Sequence, residues 1–232
     1  NRARSVQVRT RPEGREWRVV CVLALMVPLL ALFWIAQAQV WNTYMLWARD
    51  HVDMLILGWA VPVPWLSAFD NLAAVLLLPP ILLLWRWQGQ RGRAPDEISK
   101  LATGCLIFAA AVTWLAVGCA MGGSGYRVTL LWVLVFHVCA NVGWVYFAPS
   151  AVTLFTRAAP AAANSTMVGV YYLSLFAGST ISGRLGALYE HYSAANFWLI
   201  HAAIVGAGGL LLLIIKPWLR RELTSQAVTQ AS

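Results

Sequence analysis

Residues 127–156 read RVTLLWVLVFHVCANVGWVYFAPSAVTLFT. Within that stretch Arg127 is the lone formal charge and His137 the lone histidine. A membrane-crossing helix needs about 20 largely apolar residues, and this run is longer. The apolar residues run continuously instead of alternating, which argues against a strand of a closed barrel. Five more such runs lie at about 18–47, 63–87, 99–121, 164–189 and 194–218. Helix breakers separate them: Pro62 and Pro64, then Gly89, Gly92 and Pro95, then Gly122, Gly123 and Gly125, then Pro160. The expected fold is all-α, a bundle of six transmembrane helices over 18–219. A basic segment at 1–17 precedes it and a tail at 220–232 follows.

Composition agrees with this reading. Of 232 residues, 60% are hydrophobic and 11% charged, against about 25% charged in an ordinary soluble domain. So few charges cannot cover a soluble surface, which argues against a soluble enzyme or a disordered segment. The net charge of +8 does not point to nucleic acid, because the basic residues sit in the gaps between apolar runs. Cys21, Cys105, Cys119 and Cys139 fall inside apolar runs without metal-ligand spacing, so neither a disulfide scaffold nor a metal centre is expected. No cofactor is expected either. The chain begins with Asn and shows no cleavable leader pattern, so a longer gene product is expected.

Positive charge sets the expected orientation. Arg2, Arg4, Arg9, Arg11, Arg15 and Arg18 precede the first span, and Arg86, Arg91, Arg93 and Lys100 surround the second linker. Arg157, Lys216, Arg220 and Arg221 fall on the same side, against Arg49 and Arg127 on the other. Both termini are therefore expected in the cytoplasm of a multi-pass inner or plasma membrane protein. Trp17, Trp47, Trp59, Trp65, Trp85, Trp87 and Trp218 near span ends read as interface anchors. Gly206, Gly208 and Gly209 read as close helix packing.

Several motifs stand in a fixed order. Gly143-Trp-Val-Tyr-Phe-Ala-Pro149 followed by Thr156-Arg-Ala-Ala-Pro160 resembles the G-E-L-x-x-S-P … T-K-L-A-P run of the proton-dependent oligopeptide transporters. That family is a branch of the major facilitator superfamily, and the run belongs to its tenth helix. Met167-Val-Gly169-Val-Tyr-Tyr-Leu-Ser174 with Gly178 and Gly183 is similar to the eleventh helix, and Phe33-Trp34 through Gln39 to the F-W-x-x-x-E-Q of the seventh. Gly58, Pro62, Trp65 and Asp70-Asn71 resemble the start of the eighth, and Lys100-Leu-Ala-Thr-Gly104 the ninth. The resemblance implies the C-terminal six-helix half of a twelve-helix transporter that works by alternating access. Its implied partner is an N-terminal six-helix half, with the substrate at a midplane cavity between them.

The departures bear on mechanism. Ala38 stands where the seventh helix of the family carries an acid, and Trp144 where the tenth carries the Glu expected to hold a peptide amino terminus. Asp70 stands at the eighth-helix Asn that contacts peptide. Ionisable groups inside a span are costly and usually functional. His137, Asn141 and Trp144 share one helical face at i, i+4 and i+7. His137 is expected to line the cavity as a proton carrier or substrate contact, since imidazole ordinarily titrates near 6.5; the alternative is a neutral His bonded between helices. Asp70 is expected to hold an ammonium or to titrate, or to pair with Arg184 as an outer gate; the alternative is that both reach the headgroups. Ala38, Trp41, Asn42 and Met45 share a face of the first span, with Gln37 and Gln39 beside it. Gln39, Asn42 and Trp41 are candidates for the cavity wall, with helix–helix hydrogen bonding as the alternative. Trp41 and Trp144 together suit a solute less charged than a free peptide. Pro149 is expected to kink the fourth span.

The expected function is secondary active transport of a peptide or peptide-like solute, with proton coupling implied by the resemblance alone. Two rivals stay open: an uncoupled or exporting carrier of a less polar metabolite or drug, and a transport-inactive relative that senses or scaffolds. A membrane-embedded enzyme is not expected, because no convergent catalytic set appears.

Overall fold

The computed structural model describes residues 14–56, 58–122 and 127–224. Seven α-helices occur among them: α1 (Arg15–Ala38), α2 (Thr43–His51), α3 (Pro64–Gln90), α4 (Glu97–Gly122), α5 (Leu130–Ala158), α6 (Asn164–Gly186) and α7 (Ala194–Thr224). Four two-residue strands lie in the connections: β1 (Val52–Asp53), β2 (Leu55–Ile56), β3 (Trp59–Ala60) and β4 (Val128–Thr129). β1 pairs parallel with β4, and β2 pairs antiparallel with β3. The N-terminal arginines Arg2, Arg4, Arg9 and Arg11, the glycines Gly123 and Gly125, and the tail beyond residue 224 lie outside the described residues.

Local chemistry sets the helix ends. Pro64 opens α3, where a missing N–H costs nothing. Gly92 follows it at φ 66°, a conformation glycine adopts without strain. Prolines 28, 79, 80, 149 and 217 sit inside helices, where neighbouring helices and Ser/Thr side chains re-satisfy freed backbone groups.

The first span departs from the expectation of one helix over 18–47. α1 ends at Ala38, a 3₁₀ turn covers Gln39–Trp41, and Asn42 takes φ −115° and ψ −103° before α2 begins. Among the described residues, five helices are long and apolar enough to cross a membrane: α1 with its 3₁₀ turn, α3, α4, α5 and α7. α6 is 23 residues long but more polar. Its polarity is divided: Ser174 and Ser182 are buried, with the Ser182 backbone C=O accepting the Gln39 amide at 2.8 Å, whereas Ser179, Thr180 and Arg184 are exposed.

The helices pack in pairs, α4 against α7 and α5, α1 against α6 and α7, and α3 chiefly against α5. Glycines permit the closest approaches. A Cβ at Gly104 would lie 2.7 Å from Gly143 O, and one at Gly178 would lie 2.5 Å from Trp34 Cβ. One at Gly209 would meet Cys105 Cβ at 3.0 Å, in keeping with close packing of α7. Trp114 and Trp132 stack at 3.7 Å, and each indole N–H donates to the other's carbonyl. Of the tryptophans read as interface anchors, Trp17, Trp59, Trp65, Trp87 and Trp218 are exposed. Trp47 is instead fully buried, with its indole N–H on Cys119 Sγ at 3.1 Å.

Candidate functional site

A cavity of about 460 Å³ opens among α1, α3, α5 and α6. α1 and its 3₁₀ turn contribute Trp34, Gln37, Ala38 and Trp41; α3 contributes Asp70, Asn71 and Ala74; α5 contributes Asn141 and Trp144; α6 contributes Leu175 and Ser179. Ala38 and Trp144 are thus neutral side chains in the cavity wall. The carboxylate in that wall is Asp70, itself buried.

Asp70 is held from behind. His137 Nδ1 lies 2.7 Å from its Oδ1, and Asn141 Nδ2 donates to the same oxygen at 2.7 Å. The Tyr44 hydroxyl lies 2.8 Å from His137 Nε2. An ionised carboxylate only accepts hydrogen bonds. In the neutral imidazole Nδ1–H therefore donates to Asp70, and Nε2 accepts from Tyr44. The result is a chain of polar contacts from α2 through α5 to α3, ending at the cavity. Aromatic rings surround the imidazole: Tyr44, Phe136 and Phe69 have centroids 5.2, 5.1 and 6.0 Å away. Low local polarity strengthens each charge interaction in such a site.

The expected face of α5 divides in two. Asn141 and Trp144 line the cavity, whereas His137 is 0% exposed and sits behind Asp70. The expectation that His137 lines the cavity is corrected, because Asp70 on α3 stands between. Gln39 is likewise corrected from cavity wall to helix tie: it is buried, and its amide donates to α6. Trp41 does line the cavity, and Asn42 is exposed at the break. Asn42 Nδ2 packs against Gly186 on α6, 3.2 Å from where a Cβ would stand. The expected Asp70–Arg184 pair is not formed. Asp70 is taken by His137 and Asn141, and Arg184 is exposed on α6, with no ion pair among the described residues.

Sequence reasoning missed Tyr44, Trp34, Asn71 and the α6 wall. A helical wheel run through the first span misplaces Tyr44, because the break at Asn42 resets the register. The amide-rich cluster Gln37, Gln39, Asn42 and Thr43 was the available sign of that break.

The resemblances follow the same outline. A peptide transporter of Yersinia enterocolitica subsp. palearctica serotype O:3 is 24% identical over 208 residues, covering 86% of this chain and 40% of the relative. A di-/tripeptide transporter of Lactococcus lactis subsp. cremoris is 23% identical over 189 residues, covering 80% of this chain and 38% of the relative. The chain therefore spans well under half the length of these curated relatives. The crystal structure of a POT peptide transporter in complex with sulfate superposes with TM-score 0.83 at 22% identity, over 91% of this chain and 42% of that one. A second, a POT family transporter in complex with 5-aminolevulinic acid, gives TM-score 0.80 at 21% identity, over 89% and 43%. The shared fold is a polytopic helical bundle like those of the POT structures, and its long apolar helices suit a multi-pass membrane protein. A profile of the POT family matches residues 3–220, and the chain belongs to that family.

Proposed function

We propose that this chain supplies one wall of the solute pathway in a secondary active transporter, with a second six-helix half as the other wall. The solute is a small peptide or peptide-like molecule carrying an amine. One observation carries this reading: a buried carboxylate, Asp70, faces an otherwise neutral cavity bounded by Trp34, Trp41 and Trp144. Both hydrogen bonds to Asp70 end on Oδ1, and among the described residues Oδ2 accepts none. An ammonium docking there gains a charge-assisted hydrogen bond in a site of low polarity. The indole faces suit both a cation and an apolar body. The names of the curated relatives, which include peptide transporters, support the substrate class. The excess of basic residues beside one set of span ends supports cytoplasmic termini.

A carrier of less polar amines is the second reading, favoured by the indole of Trp144 where the family carries an acid. Competition in proteoliposomes separates the two. Labelled dialanine uptake should be blocked by unlabelled dialanine and not by its N-acetyl form. A lack of dialanine uptake with saturable uptake of a hydrophobic amine would favour the second reading.

A further inference from the structure

One face of α3 carries an apolar stripe. Leu72, Leu76, Pro80 and Leu83 recur at helical spacing, and Arg86 and Trp87 continue the same face one turn on. Leu72, Leu76, Leu83 and Trp87 are 53, 63, 64 and 48% exposed, uncovered by the described residues. Leu72 and Leu83 stand about 16 Å apart along the axis, close to half the ~30 Å hydrocarbon core of a bilayer. The stripe is thus one leaflet long, and it ends on an indole, a ring that favours the headgroup boundary. The cations at this end fall into two sets. Lys216 and Arg220 of α7 pair with Asp96, Arg157 of α5 with Glu97, and Arg18 of α1 with Glu222. Arg86, Arg91, Arg93 and Lys100 have no ion pair among the described residues. Instead the Arg91 guanidinium lies 3.8 Å from the Trp87 ring centroid, and the Lys100 ammonium 4.3 Å from that of Trp85. An aromatic face positions a cation without neutralising it. The three arginines are exposed.

The geometry points to a binding site for one anionic phospholipid on this face of α3. Its phosphate meets Arg86 and Arg91 beside Trp87, and its acyl chains run along Leu83, Pro80, Leu76 and Leu72 toward the bilayer centre. Arg93 and Lys100 add to the local positive charge. The planar guanidinium fork matches phosphate oxygens, so arginine suits this contact. The carboxylates Asp96, Glu97 and Glu222, which could have neutralised these four cations, are engaged by the other set. A lipid of net negative charge is favoured over a zwitterionic one, whose headgroup ammonium would face the same arginines. A protein segment would need both an apolar strip one leaflet long and a carboxylate at its end. An anionic phospholipid brings both in one molecule. Nothing in this surface depends on which solute the cavity takes.

The test is native mass spectrometry of the purified protein released from an uncharged detergent, with dioleoyl phosphatidylglycerol and dioleoyl phosphatidylcholine as probes. The two lipids share acyl chains and differ in net headgroup charge. The expected result is a single retained phosphatidylglycerol under conditions that strip phosphatidylcholine. A basic residue near an anionic lipid contributes about fivefold in binding, so Arg86→Gln combined with Arg91→Gln should weaken phosphatidylglycerol by roughly 25-fold. Phosphatidylcholine should bind that variant as it binds wild type. The control, Arg18→Gln combined with Arg157→Gln, removes two charges already matched by acids and should stay within about twofold of wild type. Excess glycerol phosphate, which lacks acyl chains, should not displace the lipid. Equal retention of the two lipids by wild type overturns the proposal, as does an equal loss, or no loss, in the two double variants. Displacement by glycerol phosphate also overturns it, in favour of a site for a free anion. Should the first double variant fail to fold, Arg86→Gln alone decides: a loss of about fivefold is expected, and unchanged retention overturns the proposal.

Discussion

His137 Nδ1 and Asp70 Oδ1 meet at 2.7 Å across 67 residues of sequence, joining the N-terminal parts of α5 and α3 beside the cavity. Each residue is costly to bury alone. Together, with Tyr44 and Asn141, they form a satisfied polar chain inside an aromatic shell.

Replacing Asp70 by Asn keeps the size and removes the charge. Hydrogen bonds to a charged group contribute about 1.5–3 kcal/mol, so dialanine affinity should fall by roughly 10- to 100-fold. N-acetyl dialanine, lacking the ammonium, should show little difference between the two proteins. Titration of both ligands against wild type and variant checks this, and equal loss for both would contradict it.

The crossing of α4 and α5 predicts a contrast among glycines. An added methyl at Gly104 meets Gly143 O at 2.7 Å and Phe147 N at 2.9 Å, backbone that cannot step aside. Overpacking of this kind costs about 1–3 kcal/mol, so Gly104→Ala should lower the melting temperature by several degrees. A methyl added at Gly169 on α6 would meet nothing within 4 Å. Alanine there removes the glycine entropy cost of roughly 0.5–1 kcal/mol, and the melting temperature should hold or rise. Thermal unfolding in detergent compares the two.

Gln39 is a tie between the end of α1 and α6, through Ser182 C=O at 2.8 Å. Gln39→Ala leaves a buried carbonyl without that donor, at about 1–3 kcal/mol. Stability should drop while dialanine affinity stays within about twofold, since Gln39 is absent from the cavity wall. A large loss of affinity at unchanged stability would return Gln39 to the cavity.

Asp96, in the connection between α3 and α4, makes a pH prediction. Partial burial pushes its carboxyl up, but the Ser99 N–H and hydroxyl together with Lys216 and Arg220 outweigh that and hold it below the ordinary value. A carboxyl lowered in the folded state contributes stability above its unfolded value, and that contribution fades as pH falls through the folded value. Acidification below about pH 4 should therefore reduce stability in wild type, and by less in Asp96→Asn. Melting temperatures across pH 3–6 measure the difference; parallel curves would show that Asp96 is not the source.

Much of the architecture was legible in single residues. Pro64, Gly92 and Pro160 mark real ends, because a missing N–H, a positive φ or a ring at the wrong place acts locally. Within one unbroken helix, spacing also carried information: Asn141 and Trp144 share the cavity, as their separation of three residues requires. What the sequence could not disclose was set by packing between helices. Nothing local tells His137 that Asp70 will stand in front of it, nor tells Asp70 that its partner is an imidazole and not Arg184. Gln39 was misjudged and Tyr44 missed for a different reason: the turn at Gln39–Asn42 changes the angular register along the first span.

α3 is the least buried of the five apolar spans and leans chiefly on α5. Its outward leucines 72, 76, 82 and 83 are exposed, so greasy contact within this chain does little to clamp it. The polar knot at Asp70 is then also the fastener of a loosely mounted panel. The bond from Asp70 to His137 therefore fixes where this wall stands and, at the same time, which carboxylate oxygen is left facing the cavity.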